Sequence, residues 1–426
     1  MFERVLVKGF RSLTNFDLGI KPGLNVLVGP NGAGKTNVIL FFDFLRNFVF
    51  TTLSDAIGKA GGVAQVFSKR GKNSFSEKMQ GEIHGRVLVD GAHFTYSYGF
   101  EINFSSARQE VQFSRQSLVI ERVSPEFGDS FLYLDVSYAH EAGTDKPTLT
   151  IGKLNEDKRR ARVRDDLNRF VEQGIYSQHA IFFSMGSYDD VFAAVVSDFL
   201  GRFILNVVPS HVKKPEDSTR KPGIESDGSG LSATLYAIKK GRSFFDRSLM
   251  VTWRRPPKPL KPSWKVFMDL VRIAIPSITD MDVENDPFDN LLRCRITVGS
   301  GVRKSVLPLG AMSDGTVKWM SLVARLLTSS DALLLEEPEN YLHPLMQREI
   351  VQLLRNSVKD TGFMMVSTHS ETLLNAIRPD ELVLVEYGSA GTTAFRPSNS
   401  SDIAAEINRT GFGLGYYYLA DAVESE

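Results

Sequence analysis

Only one of the 426 residues is a cysteine, Cys294. That excludes an intramolecular disulfide and a cysteine-built metal cluster, and leaves Cys294 as a small core residue. Long hydrophobic runs are missing too. The apolar stretches are strand-length or broken by charge, as in residues 41–50, where Asp43 and Arg46 intervene. A membrane span needs about 20 consecutive apolar residues, so none is expected. The opening, MFERVLVKGFRSL, carries charge inside its apolar pattern and has no small-residue cleavage site, which argues against a signal peptide. Low-complexity tracts and internal repeats are absent as well. With 42% apolar and 23% charged residues the composition is that of a soluble globular chain, and a cytoplasmic protein is the simplest fit. The length exceeds what one ordinary core fills, so one large α/β domain with an insertion, or two lobes, is expected.

Net charge is also lacking: 50 Lys and Arg balance 50 Asp and Glu. The balance is uneven along the chain. Residues 211–265 hold 13 Lys/Arg against five Asp/Glu, an excess of +8 set in an otherwise acidic chain. Such a stretch suits an anionic partner such as DNA, or is simply a solvated loop.

What is present is organised in three parts. Residues 2–7 alternate, 9–13 turn, and 24–28 form a short apolar strand running into GPNGAGKT, after which a helix extends to about residue 50. From about 81 to 137 the period is two, with turns at Asp90-Gly91 and Gly99, the pattern of an antiparallel meander. Charged residues 155–172 and residues 231–240 read as helices, and Pro and Lys across 254–262 read as a loop or hinge. Strand character resumes at 293–298. From 313 the chain alternates helix and buried strand: helix 314–327, strand 332–335, helix 344–357, strand 363–367. That alternation predicts parallel α/β, so two α/β halves, at about 1–60 and 300–395, flank a middle of different character. The expected domains are an N-terminal lobe with phosphate loop and meander (1–150), an inserted, mainly helical, basic region (151–290) and a C-terminal lobe (291–426).

Residues 29–36 match G-x-x-x-x-G-K-[ST] between a strand and a helix, the context in which this motif binds nucleoside triphosphates. The amides around Asn31, Gly32 and Gly34, with the helix start behind them, can surround phosphate oxygens. Lys35 then reaches the β- and γ-phosphates, and Thr36 holds Mg²⁺. The apolar residues 332–335 deliver Glu336 and Glu337 at a strand's C-terminal end, where open α/β sheets place their ligands. Glu336 belongs near the metal, most simply through water, and Glu337 near the γ-phosphate, orienting or deprotonating the attacking water. His369 follows the strand 363–366 and ends on the same rim.

Together these motifs resemble the ABC ATPases of the RecF and SMC type, and more closely the bacterial "predicted ATPase" group related to the ATPase half of OLD-family proteins. The matching pieces are KGFRSL (8–13), GPNGAGKT, SDGT (313–316), LLLEEPENYLHP (333–344) and STHS (367–370), in that order, with weaker connecting elements at 227–231 and 275–283. The resemblance implies a P-loop fold of ABC type with a mixed sheet, cofactors ATP and Mg²⁺, and ATP sandwiched between two protomers, with higher oligomers open. It implies that Ser313 and Gly315 cap the γ-phosphate held by the other protomer. It places Arg11 near the nucleotide, makes Gln65 a candidate for sensing Mg²⁺ and water, and puts residues 340–343 across the dimer interface. Glu336 stands where much of the class has Asp, and SDGT replaces the transporter-type Ser-Gly-Gly-Gln. The middle is too short, and too poor in heptads, for an SMC coiled coil. Residues 380–388 resemble the start of a Toprim domain, but no Asp-x-Asp follows, so no nuclease centre is expected. The implied function is a nucleotide-gated switch acting on DNA or a partner effector in genome maintenance or anti-phage defence. The alternative is a regulatory ATPase that binds only a partner toxin or nuclease.

Overall fold

The computed structural model describes the chain apart from residues 70, 72–73, 125–128, 141–145, 155–157, 183–184, 186–187, 245–258, 300, 302, 331, 359–361, 421 and 424–426. Residues 245–258, which carry part of the basic stretch and of the expected Pro/Lys hinge, therefore lie outside the described residues.

The centre is a six-stranded sheet in which Leu382–Gly388, Gly23–Val28, Phe363–Thr368, Ala332–Glu336 and Arg202–Leu205 run parallel in that spatial order, with Gly391–Phe395 antiparallel at one edge. Its strands are apolar without alternation because both faces are covered. All six residues of Phe363–Thr368 are buried. Successive side chains go to two different cores: Leu27, Leu334, Met365 and Val383 to one, Val26, Leu335, Val366 and Leu384 to the other. The phosphate-loop helix, Lys35–Phe50, packs in the first core and the helix Asp314–Thr328 in the second.

A seven-stranded antiparallel sheet covers the first core. It comprises Phe16–Gly19, Phe2–Lys8, Lys78–Val89, Ala92–Ser105, Glu110–Val123, Ser130–Ala139 and Thr148–Leu154. Here the alternation is strict, as in Ala92–Ser105, whose Phe94, Tyr96, Tyr98, Phe100, Ile102 and Phe104 point inward. Phe48, near the end of the phosphate-loop helix, meets Phe100 and Phe113 edge-on at centroid distances of 5.2 and 5.6 Å, so the loop's helix is clamped to this sheet. A third sheet, with Glu216–Asp217, Leu291–Val298, Ile278–Asn285 and Ser305–Pro308, closes the second core.

The expected mainly helical insertion is more entangled than its sequence suggested. It holds helices Lys158–Glu172, Asp190–Leu200, Leu231–Lys239 and Trp264–Ala274, but it also supplies Arg202–Leu205 to the central sheet and Ile278–Asn285 to the third. A charged residue opens that central strand. Arg202 is buried because Asp198 pairs with it at 2.7 Å and the ring of Phe2 lies 3.6 Å from its guanidinium carbon. Among the described residues no helix is long and apolar enough to cross a membrane.

Candidate functional site: a phosphate loop and its carboxylate rim

All five parallel strands end on one rim. Gly23–Val28 runs into the phosphate loop, whose Asn31, Gly32 and Thr36 are exposed. Gly34 caps the helix at φ 103°, and a Cβ there would lie 2.1 Å from Thr392 Oγ1, so only glycine fits. The same approach is seen at Gly29, where a Cβ would lie 2.0 Å from the Val385 carbonyl oxygen. The hairpin of residues 382–395 thus forms a rear wall for the loop. Thr392 Oγ1 donates to the Ala33 carbonyl at 2.8 Å and lies 2.7 Å from Ser12 Oγ, which accepts from Asn37 Nδ2 at 2.7 Å. Lys35 Nζ donates to the Gly29 and Pro30 carbonyls at 2.7 and 3.0 Å. Burial lowers its pKa, and the carboxylates of Glu337 and Glu339 work in the opposite sense.

The expected acids lie where the strand was predicted to deliver them. Thr36 Oγ1 hydrogen-bonds Glu336, 300 residues away in sequence. Glu337 is left-handed at φ 43°, its N–H donating to the Ser367 carbonyl at 3.0 Å. Its carboxylate is gripped on both oxygens, by His369 Nε2 at 3.1 Å and Asn340 Nδ2 at 2.9 Å. Glu339 is buried, accepting from Thr368 Oγ1 at 2.5 Å and from the His369 N–H at 3.0 Å, which fixes the backbone at the histidine.

Ser313 caps the helix Asp314–Thr328, stays exposed, and has its hydroxyl 2.8 Å from Thr316 Oγ1. Gly315 lies against the Tyr341 carbonyl. One turn on, buried Lys318 donates to the carbonyls of Glu337 and Asn340, each at 3.2 Å, so the helix and the turn at 337–340 are tied within one chain. Burial lowers the Lys318 pKa to about 8 against the pull of Glu339 and Glu337.

Two further expected residues share a cavity. Arg11 (φ 48°) is half-buried, donates from Nη2 to the Ala60 carbonyl at 2.7 Å, and has a pKa lowered by burial. It lines a cavity of about 680 Å³ together with Gln65, Asn37 and Ser12, whereas Glu336 lines a different one of about 620 Å³. Gln65, taken from the sequence as a metal sensor, is therefore grouped with Arg11 rather than with Glu336.

Sequence reasoning missed Asn206. The register pairs Leu335 with Leu205, so Asn206 follows alongside Glu336, and both line the second cavity. Nothing local marks it: only when 202–205 is known to be a strand does the residue after it fall on the rim. Lys318, Glu339 and Thr392 were missed because only the fold brings their partners near.

The donors fit the implied groups. Thr36 and Glu336 are hard oxygen ligands in contact, enough for a Mg²⁺ that keeps its waters and takes its remaining ligands from phosphates. Among the described residues no group of three or more His, Cys, Asp or Glu could cage a metal without them.

The family described as "AAA domain, putative AbiEii toxin, Type IV TA system" matches residues 24–375. This chain belongs to it. It is a P-loop ATPase of the ABC class. The DNA replication and repair protein RecF of Erwinia tasmaniensis is 58% identical over 36 residues, 8% of this chain and 10% of that protein. RecF of Salmonella typhi is 56% identical over 37 residues, 9% and 10%. The chain thus matches about a tenth of the length of these curated relatives. Among solved structures, an SMC head bound to the C-terminal winged-helix domain of ScpA is similar over 92% of this chain and 97% of its own, at 15% identity and a TM-score of 0.46. The SMC head of Thermotoga maritima gives 13% identity and a TM-score of 0.40 over 93% and 98%.

Proposed function

We propose that this protein binds ATP with Mg²⁺, hydrolyses it, and uses the cycle to close and reopen a homodimer that acts on DNA or on a partner effector. One observation carries the reading: a glutamate beside a phosphate loop has both carboxylate oxygens held, by His369 and Asn340. Oriented so, Glu337 can take the proton of a water attacking the γ-phosphorus as the bond to the β,γ-bridging oxygen breaks and ADP leaves. His369 can donate to a γ-phosphate oxygen, and Lys35 offsets the charge there. The metal, held at Thr36 and Glu336, would neutralise charge on the β- and γ-oxygens. The exposed Ser313 at a helix start supports capping of the partner protomer's γ-phosphate. Genome maintenance or anti-phage defence is the proposed setting.

The DNA version has its own test. Duplex binding measured with and without ATP at rising salt should weaken with salt and respond to nucleotide; indifference to both would leave only a protein partner. One observation favours that second reading. Lys213, Lys239 and Arg220 of the basic stretch are paired with Asp314, Asp282 and Glu216, which reduces the charge available to phosphates. For the switch itself, sizing of Glu337→Gln with Mg–ATP should show a dimer that wild type forms only transiently. A monomer under saturating nucleotide would sink the sandwich.

A further inference from the structure

The third sheet has a notch in one side. Ile278–Asn285 pairs along the whole of one edge of Leu291–Val298, so Glu216–Asp217 and Ser305–Pro308 share the other edge. They pair there with residues 291–292 and 295–298, and among the described residues no strand takes Arg293 and Cys294 between them. A cavity of about 450 Å³ occupies this gap. One of about 150 Å³ already holds a benzene ring, so the notch has room for an aromatic side chain. Leu292, Leu307 and Pro308 line it with apolar surface, and exposed Lys214 and Arg295 with positive charge.

A side chain of matching size stands beside it. Phe288, at the tip of the hairpin between Ile278–Asn285 and Leu291–Val298, is 98% exposed. Its turn is braced. The Phe288 N–H donates to Asp286 Oδ1 at 3.1 Å, the Leu291 N–H donates to Asp289 Oδ1 at 3.0 Å, and Arg293 pairs with both carboxylates. Asn290, left-handed at φ 58°, accepts from Ser218 Oγ at 2.7 Å. The ring is thus presented on a pre-organised turn between two acids, which lowers the entropy lost when it is inserted into a partner.

Ring and notch are neighbours, because Asp286 lines the cavity and Phe288 lies two residues further on. A ring so exposed is not in its own notch. A two-fold axis passing between the two features would put each copy's ring in the other's notch, the self-complementarity that an isologous interface requires. The charges agree as well, since acids flank the ring and cations border the cavity. Arg295 already pairs with Glu284 of its own chain at 3.1 Å, but both groups are exposed, and such a pair exchanges at little cost.

We propose that two copies of this chain associate through Phe288, each ring seated in the other copy's notch between residues 213–215 and 306–310. The contact needs no nucleotide, so it does not rest on the ATP reading. With one aromatic anchor per copy it is a weak interface, formed at high protein concentration.

Sedimentation velocity of the full chain without nucleotide, over a concentration series, tests it. Wild type should show a dimer that grows with concentration, and Phe288→Ser should weaken that dimer about tenfold or more. Position 288 is exposed, so the variant folds. Lys214→Glu should weaken it about threefold, and added salt should act in the same direction. The contact is mapped with the photo-crosslinking residue benzoylphenylalanine in place of Phe288. Illumination should give covalent dimers joined at residues 213–215 or 306–310. A wild-type chain that stays monomeric at every concentration overturns the proposal. So does a dimer that Phe288→Ser leaves intact, or crosslinks that map to another surface. The ATP sandwich is told apart by combining Phe288→Ser with Glu337→Gln, which should still dimerise in Mg–ATP. Loss of that dimer too would overturn a separate interface and assign Phe288 to the sandwich.

Discussion

The two large sheets of this molecule solve burial in opposite ways. In the antiparallel sheet one face is core and the other meets water, so Ala92–Ser105 alternates along its whole length. In the central sheet both faces are core, and Phe363–Thr368 is buried throughout. A sheet covered on both sides can offer a ligand only its ends, and this one gathers Lys35, Thr36, Glu336, Glu337 and His369 at a single end. A sheet with one open face can be long and still serve as scaffold. Chemistry and cohesion are thus divided between the two sheets, with the helix of Phe48 between them.

That division makes substitutions separable. The largest effect is expected at the rim. Glu337→Gln should lower kcat about 10²-fold or more while the melting temperature stays near wild type, because in the proposed role the group acts on water and not on packing. Steady-state turnover and calorimetry together check it, and unchanged turnover would remove Glu337 from its role. Next comes the junction. Phe48→Ala deletes a ring in contact with Phe44, Phe100 and Phe113 and should cost about 3–5 kcal/mol of unfolding free energy in denaturant melts. A small cost would mean the sheets are held together elsewhere.

A third prediction concerns pH. Lys318 titrates near 8 in the folded chain and at 10.5 when unfolded, so between those values the unfolded state binds more protons. Stability should then rise with pH across about 8 to 10.5, by at most about 3 kcal/mol, and be flat in this respect below 8. Denaturant melts of wild type against Lys318→Met read the difference, and parallel profiles for the two proteins would refute it. The smallest effect is behind the loop. Thr392→Val removes the hydroxyl shared with Ala33 and Ser12 and should cost about 1 kcal/mol, with weaker ATP binding at nearly unchanged kcat. A fall in kcat alone would place Thr392 in the chemistry.

Much of this architecture was legible because its signals are local. The helix start after Gly34, the capped helix at Ser313, and the apolar run before Glu336 each need only neighbours in sequence, and the helix over 344–357 falls where expected. The strand Arg202–Leu205 was not legible, because a buried arginine reads as surface until Asp198 and Phe2 are seen around it. The environment of Gln65 was invisible for a related reason. Its neighbours Ser12 and Tyr387 come from opposite ends of the chain.

The bond between Ser12 and Thr392 spans 380 residues. During synthesis the GPNGAGKT segment emerges early, but the wall behind it emerges only after residue 395 has cleared the ribosome. A nascent chain should therefore remain blind to ATP until the residues through 395 have been made, and bind it only when that hairpin closes behind the loop.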